Sequence, residues 1–322
     1  MKTLVTGVAG FIGMHCASRL LRRGDEVIGV DNLSDYYSVD LKRDRLGQLE
    51  RENGFRFLNL DITSRDGLAR LIAEIMPSAV LHLAAQPGVR YSLENPSAYV
   101  QANLVGFANI LEACRLQPPE HLVFASSSSV YGSNQRLPWS EADCVDHPLS
   151  MYAATKKSNE LMAHAYAQLF GLPMTGLRYF TVYGPWGRPD MSPMLFARAI
   201  MEGRPIQVFN HGDMQRDFTY IDDIAEGTLR VLDRPPPGRP PYCIYNIGNH
   251  RPVALTDYIA ALERCLGRKA VTEYKPMQPG DVKATFADTA ALAAAVGFEP
   301  STPLEEGLAR FAKWFKEYYG FQ

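Results

Sequence analysis

Thr3-Leu4-Val5-Thr6, a short apolar β-rich run, passes without a break into Gly7-Val8-Ala9-Gly10-Phe11-Ile12-Gly13, a helical pattern from Phe11 to Arg23 and a second apolar run from Glu26 to Val30. A strand that turns through glycines into a helix and comes back as a strand pairs with itself in parallel, the helix packed across both. Further β-rich runs follow at Phe55 to Leu60, Ala79 to Leu83, His121 to Ala125 and Met174 to Leu177. Each is apolar enough to be covered on both faces, so the expected architecture is α/β, a doubly wound parallel sheet between two layers of helices. After Thr181 the character changes. Gly184-Pro185, Gly187, Pro189 and Pro193 precede isolated elements such as Ile206 to Phe209, and this predicts a smaller second domain facing the substrate. The run Pro235 to Pro241 reads as a stiff surface linker, and Tyr242 to Ile247 as a strand returning to the main sheet. The predicted division is residues 1–180 with a return segment of about 226–252 for the sheet domain, and 181–225 with 253–322 for the smaller one.

The loops leaving these strands carry the chemistry. Gly7, Gly10 and Gly13 are spaced G-x-x-G-x-x-G, and the missing side chains let a pyrophosphate approach backbone N–H groups at a helix N-terminus. By itself this pattern is equally a tight turn with close helix packing. Asp31 ends the second strand 18 residues past Gly13, where a carboxylate accepts hydrogen bonds from ribose hydroxyls and repels a 2′-phosphate. NAD is favoured over NADP on that ground, against the plainer reading of Asp31 as a turn cap. Tyr152 and Lys156 stand at i and i+4 on a helix expected after Pro148, so an ammonium would pull the phenol down towards a usable general base. Ser126-Ser127-Ser128-Ser129 follows the strand His121 to Ala125, at the end of the sheet where ligands bind in such folds.

Composition removes other classes. The net charge of −2 comes with dispersed basic residues, which excludes the electrostatic footprint of a nucleic-acid or membrane-surface binder. The five cysteines (Cys16, Cys114, Cys144, Cys243, Cys265) are far apart and lack a C-x-x-C pair, so neither a disulfide framework nor a zinc site is expected, and no metal. A reducing compartment, the cytoplasm, fits this usage, as does an N-terminus that enters a strand at once and a chain without a membrane-length apolar stretch. Leu104 to Cys114 and Leu161 to Phe170 read as helices apolar on more than one face, which predicts a homodimer.

Taken together, the three glycines, Asp31, the serine run and the Tyr152/Lys156 pair resemble the extended short-chain dehydrogenase/reductase family over essentially the whole chain. This resemblance implies a Rossmann-type sheet and enzymes that epimerise, dehydrate or decarboxylate nucleotide sugars. Three longer stretches, Asp31 to Tyr37, Arg178 to Met191 and Met277 to Val282, are similar to its UDP-glucuronate 4-epimerase branch. The resemblance implies Ser127, Tyr152 and Lys156 as the catalytic set, Tyr152 being the base. It implies NAD contacts at Gly7, Gly10, Phe11, Ile12, Gly13, Asp31, Asn32, Asp61, Ile62, Leu83, Ala84, Ala85, Tyr152, Lys156 and Tyr179. For a UDP-sugar it implies Ser127 and Tyr152, with Ser128, Ser129 and Thr181 near a sugar carboxylate, Arg90, Arg188 and Arg216 as cations, and Asp281 near the uridine ribose. The sequence departs from the dehydratases, which carry Asp-Glu where this chain has Ser128-Ser129. It departs from galactose-type epimerases, which place Asn at Thr181 and Arg at Gln278. A UDP-glucuronate decarboxylase, another UDP-hexose 4-epimerase and a non-catalytic NAD sensor on the same fold remain open as alternatives.

Overall fold

The computed structural model describes residues 1–278 and 281–322. Its elements run β1 (Lys2–Thr6), α1 (Phe11–Arg22), β2 (Glu26–Asp31), α2 (Val39–Leu49), β3 (Phe55–Asn59), α3 (Arg65–Ile75) and β4 (Ala79–His82). Two short helices follow, α4 (Tyr91–Glu94) and α5 (Pro96–Tyr99), then a π-helical turn (Val100–Val105) that continues as α6 (Gly106–Leu116). Next come β5 (His121–Ser127), α7 (Met151–Phe170), β6 (Met174–Tyr179), β7 (Thr181–Tyr183), α8 (Ser192–Glu202), β8 (Pro205–Val208) and β9 (Gln215–Tyr220). The chain closes with α9 (Ile221–Leu232), β10 (Tyr242–Ile247), β11 (Pro252–Ala254), α10 (Leu255–Leu266), β12 (Val271–Tyr274), α11 (Ala290–Val296) and α12 (Leu304–Tyr319).

Seven strands form one sheet in the order β10-β6-β5-β4-β1-β2-β3, and each neighbouring pair is parallel. The expected Rossmann-type architecture is what the chain builds. Both-faced burial has a simple basis. Leu4 and Val5 are adjacent and fully buried, but Leu4 joins the core under α3, α6 and α7 while Val5 joins the one under α1 and α9, because successive strand side chains point to opposite faces. The strand order reverses between β1 and β4, and the C-terminal ends on either side of that point open a crevice. The predicted return strand is β10, which extends the edge from Tyr242 opposite Met174 to Ile247 opposite Tyr179. Outside the sheet, β11-β9-β7 and β12-β8 make two small sheets.

The second predicted apolar helix, Leu161 to Phe170, lies within α7, which starts on a Ser150 side chain accepting from Ala153 N at 3.1 Å and ends on left-handed Gly171. The first, Leu104 to Cys114, is corrected at its start. The chain there is wound as a π turn that contains Asn103, whose side chain bonds Gln86 N at 2.8 Å, Gln86 O at 3.1 Å and Thr155 Oγ1 at 3.0 Å, and whose carbonyl accepts from Asn159 Nδ2 at 2.6 Å.

Candidate active site

The glycine spacing sets the first wall of the site. Gly7 has φ of +71°, and a Cβ there would lie 2.6 Å from Ala84 N on the loop after β4. A Cβ on Gly13 would collide with the Gly7 carbonyl, so α1 meets the loop closely only with glycine at that position. Helix α1 carries no side-chain cap and no acidic residue in its first turn, which leaves its first N–H groups and the positive end of its dipole to whatever enters the crevice. Asp31 does two things at once. Its carboxylate accepts from Ala9 N at 3.1 Å and from Leu33 N at 2.8 Å, so the turn-cap reading is realised in addition to its place on the crevice wall. Burial pushes the Asp31 carboxyl up, opposed by those N–H groups and the Lys42 ammonium. On the next strand end, burial of Asp61 is outweighed by bonds from Thr63 N and Oγ1 and from Asn32 Nδ2, each 2.7 Å, which hold its carboxyl below the usual range.

A cavity of about 640 Å³ runs along these strand ends, and all fifteen residues expected to contact NAD stand on its wall, from Gly7 through Asp31, Asn32, Asp61, Ile62, Leu83, Ala84 and Ala85 to Tyr152, Lys156 and Tyr179. A second cavity, about 790 Å³, lies under β8, β9 and α8 and is lined by Arg90, Arg216 and Asp281. Ser128, Ser129, Thr181 and Arg188 line both cavities, and Ser127 lies on the first beside them. The expected substrate positions are thereby distributed along one continuous path. In the stretch Met277 to Val282, Pro279 and Gly280 lie outside the described residues.

Ser126 and Ser127 separate the serine run into structure and site. The Ser126 hydroxyl donates to Glu160 Oε1 at 2.6 Å inside the core, whereas Ser127 Oγ accepts from Ser129 N at 3.2 Å at the cavity. Lys156 and Tyr152 stand one turn apart on α7, both buried. The Lys156 ammonium donates to the Ala125 carbonyl at 2.9 Å, and burial brings it down to about 8. Here the sequence expectation needs correction. Burial holds the Tyr152 phenol above its ordinary value, and the groups that pull against this are the Ser127 hydroxyl and the Arg188 guanidinium, with the Lys156 ammonium tied to Ala125. The i, i+4 spacing brings the two side chains to one face, yet the protein's own groups leave the phenol in its protonated form.

The cations also stand differently from the sequence picture. Arg188 is already paired with Asp190 through Nε–Oδ1 at 3.1 Å and a 2.6 Å contact from its terminal nitrogen, and Tyr36 OH donates to the same carboxylate at 3.1 Å. Arg90 faces Asp281 at 3.8 Å and lies over the Phe209 ring. Arg216 donates to the Gln215 and Lys283 carbonyls. Sequence reasoning passed over Tyr36, Asp190, Asn103 and Arg45. The doublet Tyr36-Tyr37 in the quoted Asp31 to Tyr37 stretch was the available signal for the first, but Asn103 and Arg45 sit in unremarkable helical patterns.

The family model for the NAD dependent epimerase/dehydratase family matches residues 3–248. The chain is 50% identical to Protein CapI of Staphylococcus aureus, covering 99% of both chains. It is 47% identical to a probable UDP-glucuronate 4-epimerase of Rhizobium meliloti, over 99% of this chain and 98% of the relative. Among solved structures it superposes with TM-score 0.90 and 36% identity on the UDP-glucuronic acid 4-epimerase of Bacillus cereus in complex with UDP-glucuronic acid and NAD, covering 99% of this chain and 100% of that one. With its parallel sheet, glycine-lined crevice and Ser/Tyr/Lys set, this chain belongs to the NAD dependent epimerase/dehydratase family.

Proposed function

We propose that the chain is a UDP-glucuronate 4-epimerase that interconverts UDP-glucuronate and UDP-galacturonate with NAD as its cofactor. The observation that carries this reading is the shared wall of Ser128, Ser129, Thr181 and Arg188, which brings a glycine-lined cavity and a second, cation-lined cavity together beside Tyr152. The crevice fits NAD on its own terms. Gly7 leaves backbone where a Cβ would strike Ala84, α1 presents uncapped N–H groups, and Asp31 stands where a ribose would meet it. NAD bound there supplies the acceptor that takes the C4 hydride of the sugar and gives it back, so that the cycle has no net redox change.

Tyr152 takes the proton of the sugar 4-hydroxyl and gives it back to the C4 oxygen after the 4-keto sugar has turned about its UDP anchor, a turn that presents the opposite face of C4 to the returning hydride. Ser127 holds the same oxygen through its hydroxyl. The Ser127 hydroxyl favours the phenolate as it forms, and Lys156, one turn along α7, keeps its ammonium on the Ala125 carbonyl beside it. Oxidation at C4 leaves the C6 carboxylate β to a ketone, and such an acid loses carbon dioxide when its C5–C6 bond aligns with the carbonyl π system. Ser128, Ser129 and Thr181 hold the carboxylate out of that alignment by hydrogen bonds. Arg188, matched by Asp190, steadies the wall with little free charge to stabilise an enolate.

The two-part domain division also belongs to this proposal, with the return segment set to begin at Ile221, because α9 packs across α1 as one unit and the boundary at 226 falls inside it. Incubation of the purified chain with UDP-glucuronate, followed by proton NMR, is expected to give UDP-galacturonate and an equilibrium mixture of the two. Carbon dioxide with a UDP-pentose would instead establish a decarboxylase, and no conversion of either kind would leave the catalytic reading without support.

A homodimer and a cytoplasmic location complete the proposal. Leu161, Leu169 and Phe170 on α7 are 59%, 71% and 50% exposed, and Leu116 at the end of α6 is 60% exposed, so the two helices expected to pair carry large apolar side chains in the open. Light scattering at micromolar protein is expected to give twice the chain mass, and Leu161→Glu to give the single-chain mass with the fold kept. A wild-type monomer would overturn this. The location rests on cysteine usage, five cysteines without a C-x-x-C pair suiting a reducing compartment.

A further inference from the structure

Arg45, on α2, is completely buried. A guanidinium has five N–H donors, and here each one is engaged: Nε with Trp186 O at 3.1 Å, one terminal nitrogen with Ala9 O at 3.0 Å and Tyr37 OH at 2.7 Å, the other with Trp186 O at 2.6 Å and Gly187 O at 3.1 Å. All of these acceptors are neutral. No carboxylate lies at ion-pair distance from Arg45 among the described residues, although an isolated buried cation is costly without an anion to answer it. Asp31 feels its field from further off, but that carboxylate is engaged by Ala9 N and Leu33 N and is drawn more strongly to Lys42.

Its position tells what answers it. Ala9 is the middle of the glycine loop, and its peptide is held from both sides, the carbonyl by Arg45 and the N–H by Asp31. The other end of the fork grips Trp186, a residue with φ of +63° whose ring packs on Trp314 and Tyr318 of α12, and Gly187, the residue before Arg188. One cation thus stands behind the loop on which the dinucleotide's pyrophosphate would lie and, through the same planar fork, fixes the segment that carries Arg188 to the wall between the cavities.

We propose that Arg45 is a positioning residue with two roles. Its unpaired charge is compensated by the anionic bridge of NAD across the glycine loop, and its fork sets the Trp186-Gly187-Arg188 segment for the UDP-sugar. This rests on the reading of the crevice as an NAD site. Two variants separate charge from geometry, since lysine keeps the charge but not the planar fork, and methionine keeps neither.

The test is calorimetry on the full chain stripped of nucleotide, with NAD and with adenosine, a neutral ligand for the same end of the crevice, and on the NAD-loaded chain with UDP. Arg45→Met is expected to weaken NAD by about tenfold or more and to leave adenosine within about twofold. Arg45→Lys is expected to keep NAD within about threefold of wild type and still to lose UDP affinity by about fivefold or more, lacking the fork onto Trp186 and Gly187. Loss of NAD and adenosine together, loss of NAD in the lysine variant as large as in the methionine variant, or unchanged UDP affinity in the lysine variant would each overturn the double role. Should Arg45→Met fail to fold, the lysine variant alone still decides, because charge retention and fork loss predict opposite results for its two ligands. A wild-type chain that bound no NAD would show, before any variant is made, that the crevice reading itself is wrong.

Discussion

Tyr152→Phe is expected to lower kcat on UDP-glucuronate by about 10²–10⁴-fold, the range carried by one positioned acid–base group, while NAD affinity stays within about twofold. The ring has room to remain where it is, edge-on to Tyr99 with centroids 6.1 Å apart, so the substitution removes the proton acceptor and little packing. The pH profile sharpens the test. Because burial holds the phenol above its ordinary value, the fraction in the basic form grows as pH rises through neutrality, and wild-type kcat/KM is expected to rise with it. A Phe variant within about tenfold of wild type would mean that some other group takes the proton.

A second large effect is expected in the core behind the serine run. Arg178 and Glu160 form a buried pair, Nε to Oε1 at 2.8 Å and a terminal nitrogen to Oε2 at 2.9 Å, each residue about 4% exposed. Arg178 also donates to Tyr131 OH at 3.0 Å and lies over that ring, and Tyr131 OH donates to Asn246 on β10 at 2.7 Å. Arg178→Met leaves the Glu160 carboxylate buried with only the Ser126 hydroxyl, and the cost of such an orphaned charge is about 3–5 kcal/mol. Urea denaturation should show stability falling by that amount at unchanged slope, with the double variant Arg178→Met/Glu160→Gln recovering a good part of it. A single variant that loses under about 1 kcal/mol would show that solvent reaches the pair. The network matters for the site because Ser126 and Arg178 sit in register on β5 and β6, one residue before Ser127.

The strands, the glycine loop and the Ser/Tyr/Lys set were legible in the sequence because each is a local property. An apolar run such as His121 to Ala125 is buried on both faces wherever its neighbours come from, and Gly7, Gly10 and Gly13 declare the close approach that they permit. The same locality explains the failures. Tyr152 and Lys156 are brought together by helix periodicity, but whether the ammonium faces the phenol depends on the Ala125 carbonyl 31 residues away. Arg188 reads as a free cation until Asp190 and Tyr36, which is 154 residues from that aspartate in the chain, are folded against it. Arg45 lies in a helix whose pattern is mostly polar, and nothing there marks it as buried. Its acceptors come from Ala9, Tyr37, Trp186 and Gly187, three segments that no pattern within α2 connects.

The position of β10 at the edge of the sheet has a consequence for synthesis. β6 is finished at Tyr179, but its hydrogen-bonding partner on the open side, Tyr242 to Ile247, is more than 60 residues further along the chain. While the ribosome adds those residues, β6 offers an unprotected, fully buried-type strand of Met174, Thr175, Gly176, Leu177, Arg178 and Tyr179 to any other nascent chain. Slowing translation between the codons for 180 and 247 should therefore raise aggregation far more than an equal pause placed late enough that the strand covering the edge has left the exit tunnel.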